Sequence, residues 1–216
     1  MQNLTSLLRL PKTRPRRFRL NLARFCRDDS GTVIVEAVII LPMLLWAYIA
    51  LFVYWDAFRA KNTVQQAAYT VSDIISRERV GKTTAYIEGM QGVVDFMMDA
   101  DVNARLRVTE VTWSDTNNRF EVHWSRSPGN AMPRLTTETL QAFAEKIPTM
   151  PAGDYAIVVE LQADYIPAFD INLPGSFDIS LQDQVFSEFI VARLRAIPCI
   201  PMDTAGVPNI VTCPMT

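Results

Sequence analysis

The sequence carries a single histidine, His123, with three cysteines and eight glycines in 216 residues. One histidine cannot supply the several imidazoles of a catalytic zinc site, and no G-x-S-x-G or Cys/His pair marks a nucleophile. The glycines form neither a P-loop nor a G-x-G-x-x-G turn, so no phosphate or dinucleotide cradle is written here. The chain therefore reads as no enzyme, with no cofactor, no metal and no small-molecule substrate. His123 sits mid-strand beside Trp124, where packing or surface exposure is the simple reading. Acidic residues are missing from residues 1–27, which hold eight basic ones (Arg9, Lys12, Arg14, Arg16, Arg17, Arg19, Arg24 and Arg27). Charge of either sign is missing from Ala37 to Trp55, 19 consecutive residues.

That last gap is the strongest feature of the chain. About 20 apolar residues, each rising ~1.5 Å along a helix, cross the hydrocarbon core of a bilayer. The reading is a basic leader over 1–31, a transmembrane helix over 32–56, an extended helical spine over 57–80 and an outer domain over 81–216. A secretory signal fits poorly, because the run is too long and closes on Trp46, Tyr48, Phe52, Tyr54 and Trp55, an interfacial belt. The basic flank predicts a cytoplasmic N-terminus, and residues 62–216 are acidic, with eleven Lys/Arg against nineteen Asp/Glu. A nucleic-acid-binding arm is the alternative for the leader, but the adjacent span already accounts for its charge, so no nucleic acid is expected. Outside the membrane, Cys199 and Cys213 would meet oxidising conditions and form a candidate disulfide closing a Pro-rich tail. Cys26 lies on the cytoplasmic flank.

Two residues interrupt the apolar pattern. Glu36 places a carboxylate near the start of the run, costly at membrane depth unless paired or close to the interface. Pro42 removes one helical donor and predicts a loosened or kinked turn. A basic leader ending Arg27-Asp28-Asp29-Ser30-Gly31, followed by Thr32-Val33-Ile34-Val35-Glu36 and a Pro-bearing apolar helix, resembles the TadE-like family. These are minor pseudopilins of the Tad (tight adherence, Flp-type) pilus machinery. The resemblance covers about residues 20–80. It implies a bacterial inner-membrane protein, cut between Gly31 and Thr32 by a prepilin peptidase, with Glu36 fifth in the mature chain. It also implies other pseudopilins and the pilus assembly platform as partners, with Glu36 in recognition or assembly. Ala37 departs from the Phe that often follows this Glu in the family. On the residues alone, Glu36 can set the register between subunits by pairing with a neighbouring amine, or it can simply mark the helix start. The other functional reading is a single-span anchored periplasmic domain that binds or senses and is never cut by a prepilin peptidase.

Beyond the span, Val64, Ala67, Ala68, Val71, Ile74 and Ile75 recur at helical steps, predicting a spine to about Arg79 that Gly81 ends. Ser30 or Thr32 can cap its start. A second helix is expected over residues 83–98, with Tyr86, Ile87, Met90, Val93, Val94, Met97 and Met98 inward. Alternation over 105–113 and 119–124 predicts a β-hairpin buried through Leu106, Val108, Phe120, Val122 and Trp124, with a one-residue slip at Val111 and Trp113. A third helix over 136–147, capped by Thr136 or Thr137 and stopped by Pro148, precedes strands over 155–165 and 185–197. The order lacks βαβ alternation, so the fold class is α+β around an antiparallel sheet. Asp99, Asp101, Asn103 and Glu110 fit a calcium-loop spacing, although Ala104 stands where a glycine should turn and Arg105 and Arg107 lie inside.

Overall fold

A computed structural model describes residues 30–80, 82–98, 102–169, 184–203, 210–211 and 213. The chain divides into two units, Met1–Ala47 and Tyr48–Thr216. The first is described from Ser30 onward and consists of the N-terminal part of helix α1 (Ser30–Ser76). The second holds the rest of α1 and an antiparallel four-stranded sheet with further helices. The fold is α+β.

Helix α1 ends at Ser76, three residues before the expected Arg79. Its last turn tightens, with Arg77 N–H on the Ile74 carbonyl and Glu78 N–H on that of Ile75. The Ser76 carbonyl is taken by the Arg195 amide at 3.0 Å, a tertiary partner that replaces the next helical donor. Gly81, the expected stop, lies outside the described residues. Helix α2 (Thr84–Met97) starts at Thr83, whose hydroxyl accepts the Tyr86 N–H at 3.4 Å. Between the helices, Glu78 accepts from Lys82 and from the Tyr86 hydroxyl. The Lys82 hydrogen bond foremost, helped by Tyr86, holds its carboxyl below the usual range.

The sheet runs β2 (Arg119–Arg126), β1 (Ala104–Ser114), β3 (Tyr155–Tyr165), β4 (Gln184–Arg193), every neighbour antiparallel. Its two faces bury different partners. Leu106, Val108, Trp124, Ile157, Val159 and Leu161 pack with Val64, Ala67, Ala68, Val71 and Ile75 of α1 and with Ile87 and Val94 of α2. On the opposite face Val111, Phe120, Ala156 and Val158 pack with Leu135, Leu140, Ile147 and Met150. The expected hairpin is present, but not as one buried face. Register shifts between Glu110 and Val111, leaving His123 as the extra residue between Val122 and Trp124. This bulge reverses the side-chain alternation of β2, so Phe120 and Val122 face one layer and Trp124 the other.

The expected third helix is split. Thr136 caps a single turn, α3 (Thr137–Leu140), through a reciprocal bond with Thr139, and Gln141–Lys146 then continues as a 3-10 helix. The turn into β3 is Pro151–Asp154, closed by the Asp154 amide on the Pro151 carbonyl, and Gly153 takes φ +83° there. Strand β4 stops at Arg193, short of the expected Ile197. The chain there leaves the sheet to cap α1 through Arg195 and lead into the tail, where β5 (Met202–Asp203) pairs with β6 (Ile210–Val211).

Candidate functional site

Over the first unit, α1 presents an apolar surface. Val33, Ile34, Val35, Val38, Ile39, Leu41, Met43, Leu44 and Leu45 are all exposed. By length and composition this helix suffices to cross a membrane. Gly31 and Thr32 lie inside its first turns, and Glu36 is exposed one turn on. The helix continues through Pro42, whose ring nitrogen has no hydrogen to give the Val38 carbonyl.

In the second unit the late turns of α1 are one-sided. Ala50, Val53 and Ala57 are buried, while Tyr48, Leu51, Trp55 and Phe58 are exposed. Tyr165, the last residue of β3, donates its hydroxyl hydrogen toward Asp56 Oδ2 at 3.0 Å, with the Val53 carbonyl 3.4 Å away. Burial, then the Asp56 carboxylate, push its phenol up to about 12. Four residues later the Phe169 ring meets Phe52 edge-on, centroids 6.0 Å apart. Behind Tyr165 lies a cavity of about 420 Å³ lined by Asp56, Arg59, Met97, Val102, Asp164 and Phe186, among others.

The sheet interior holds charged groups that composition did not announce. Arg107 and Glu160 form a buried two-pronged pair, Nε to Oε2 at 2.6 Å and Nη2 to Oε1 at 2.7 Å, and Arg107 also donates to the Pro133 carbonyl. Glu160 carried a signal, as the one charge within the apolar run Ala156–Leu161 of β3, whereas Arg107 sits in an alternating strand that reads as half-exposed. On the helix-facing side Glu110 is fully buried, with Oε2 2.6 Å from His123 Nδ1 and Oε1 accepting the Ile200 amide at 2.7 Å. The same Ile200 accepts from Trp124 Nε1. Glu110, His123 and Cys199 lie close enough to offer three metal ligands. Cys199 is joined to Cys213, Cα atoms 5.8 Å apart, so its sulfur is no thiolate in this state. The bulge carries His123 to Glu110, which sequence distance alone did not suggest. Burial first, and the Glu110 charge second, raise the nearby Tyr155 phenol.

Among the described residues, the two candidate calcium-loop donors Asn103 and Glu110 are not brought together. Asn103 donates to Asp164, Arg105 pairs with Asp164, and Glu110 is committed to His123 and Ile200 inside the sheet. Asp99 and Asp101 lie outside the described residues, as does Cys26.

The family described as TadE-like protein matches residues 31–73, the stretch from the predicted cleavage glycine through the buried spine. The resemblance read from Gly31, Glu36 and the apolar helix is borne out there. Neither the curated proteins nor the solved structures give a match.

Proposed function

We propose that this chain, TadE-like over residues 31–73, is a minor pseudopilin that serves as a structural and assembly component of a Tad pilus. Residues 32–56 cross the bacterial inner membrane once, the leader stays cytoplasmic, and residues 57–216 stand in the periplasm. A prepilin peptidase cuts between Gly31 and Thr32. The Glu36 carboxylate then meets the free α-amine of a neighbouring subunit's first residue and sets axial register. The observation that carries this reading is an exposed apolar helix whose early turns hold one carboxylate, Glu36, five residues past Gly31, inside the TadE-like match. The role is mechanical rather than catalytic. The charged groups buried in the sheet, Arg107–Glu160 and Glu110–His123, tie strands together instead of facing the cavity near Tyr165.

The N-terminal sequence of the protein from its native membrane tests the reading. A chain beginning at Thr32 supports it. A chain retaining Met1 favours the unprocessed, single-span anchor with a binding or sensing domain.

A further inference from the structure

The segment that leaves β3 turns back along α1. Tyr165 is held at the level of Asp56 by its hydroxyl, and Phe169 packs against Phe52, one turn nearer the cytoplasmic end. Phe52 belongs to the uncharged run that ends at Trp55. Three residues of helix are ~4.5 Å, so Phe169 reaches about that far below the level of Trp55. Ile166, Pro167, Ala168 and Phe169 carry no charge. Ile166 is 71% exposed and Phe169 52%, while Trp55, three residues after Phe52 in α1, is 73% exposed. Contiguous exposed apolar side chains on a folded surface mark an interaction site.

We propose that Ile166–Phe169 enters the outer headgroup layer of the membrane, giving the outer domain a second lipid contact beside its helix. This rests on the reading that α1 spans the bilayer. The occupant is lipid because the patch is continuous with the apolar helix through the Phe52–Phe169 contact. The ~4.5 Å below Trp55 lies just short of the ~5–10 Å to which interfacial amphipathic helices bury their apolar face. Charged residues bracket the uncharged stretch: Asp170 follows Phe169 in the sequence, and Asp56, Arg59 and Asp164 share a cavity lining with Ile166. The consequence is positional. The sheet sits at the membrane surface with its rotation about α1 fixed, rather than standing clear of the membrane on a free spine.

The test uses the full chain with Cys26→Ser in lipid vesicles at low protein-to-lipid ratio, the Cys199–Cys213 bond intact. Single nitroxide labels are placed through Ile166→Cys, Ala168→Cys, Leu45→Cys and Tyr69→Cys, leaving Phe169 in place. Collision with oxygen relative to a water-soluble nickel chelate reads depth. Leu45 reports the span itself, and exposed Tyr69 reports water. Labels at 166 and 168 should shift from the Tyr69 value toward the Leu45 value. Labels at 166 and 168 matching Tyr69, with Leu45 in lipid, overturn the lipid contact and leave the span standing. Immobile labels that neither reagent reaches mean a protein neighbour covers the patch, which also overturns it. A Leu45 label in water removes the span and the contact together.

Discussion

The Tyr165 hydroxyl oxygen lies 3.0 Å from Asp56 Oδ2, linking the end of β3 to α1 across 109 positions of sequence. With Val53 buried beneath it, this bond fixes the domain to the helix where the uncharged run ends. Asp56 is thereby more than the first polar residue past an apolar stretch. It receives the Tyr165 hydroxyl from the end of β3.

Tyr165→Phe should lower stability by about 1.5–3 kcal/mol, the net worth of a partly buried hydrogen bond to a carboxylate. The check is the urea midpoint of the full chain in detergent micelles. The wild-type phenol is pushed up to about 12 in the fold, by burial and then by Asp56, from an ordinary value near 10. Its contribution is therefore complete below pH ~10 and lost as pH rises through about 12. The gap between wild type and Tyr165→Phe should close over that window and stay constant between pH 6 and 9.

Glu160→Ala should cost ~3–5 kcal/mol, because it leaves the Arg107 guanidinium buried against the Pro133 carbonyl without its counter-charge. Arg107→Met with Glu160→Leu should recover most of that loss, since both side chains are over nine-tenths buried and can be replaced by apolar volume. Chemical denaturation of the two variants separates a buried pair from a solvated one, for which the single change costs less than ~1 kcal/mol.

Reduction of Cys199–Cys213 should release the tail before it unfolds the sheet. The bond closes a loop of separation 14, worth at most ~3 kcal/mol in the chain-entropy view, and the prolines of that segment narrow the gain. The tail is otherwise held by Ile200, whose amide reaches Glu110 and whose carbonyl accepts from Trp124, and by the Lys82 amide on the Pro201 carbonyl. Hydrogen exchange should therefore accelerate at Ile200 and Lys82 on reduction while the Leu161 amide in central β3 stays protected. Equal acceleration at all three would make the disulfide a support of the whole domain.

What was legible in the sequence was periodic or compositional. The uncharged run, the Val64–Ile75 stripe and strand β3, whose bounds Tyr155–Tyr165 match the expected strand, each carry a signal within one element. What escaped depends on partners far away. Helix α1 stops at Ser76 because Arg195 takes its carbonyl, and no local residue announces that. The 3-10 course of Gln141–Lys146 follows from packing a short segment on the second sheet face. The hairpin's slip was visible at Val111 and Trp113, but its meaning required knowing that both faces are covered. A bulge at His123 satisfies two layers at once, where a sheet with one wet face would have paid no such cost. For the site, Glu36 and Pro42 stand out against apolar neighbours, whereas Tyr165–Asp56 and Phe52–Phe169 join residues with nothing in common in sequence.

Glu36→Ala should leave membrane insertion intact or improve it, because a carboxylate within an apolar helix opposes partitioning by as much as a few kcal/mol at mid-membrane and less near the end. Assembly should nevertheless fall. A buried carboxylate that pairs with a neighbour's α-amine aligns two subunits along the helix axis, and alanine keeps the apolar contact while losing that alignment. Glu36→Gln separates charge from shape: it retains the side-chain length and a hydrogen-bond acceptor but not the ion pair, and should assemble nearly as poorly as alanine. Glu36→Asp keeps the charge on a shorter arm and should restore part of the output. Surface pili counted at matched membrane levels of each variant give the order wild type, Asp, then Gln and Ala together. Equal output from Glu36→Ala and wild type would mean that the carboxylate only marks the start of the helix, and that register comes from packing along the exposed apolar side chains of α1, such as Val38 and Leu45, or from the outer domain instead.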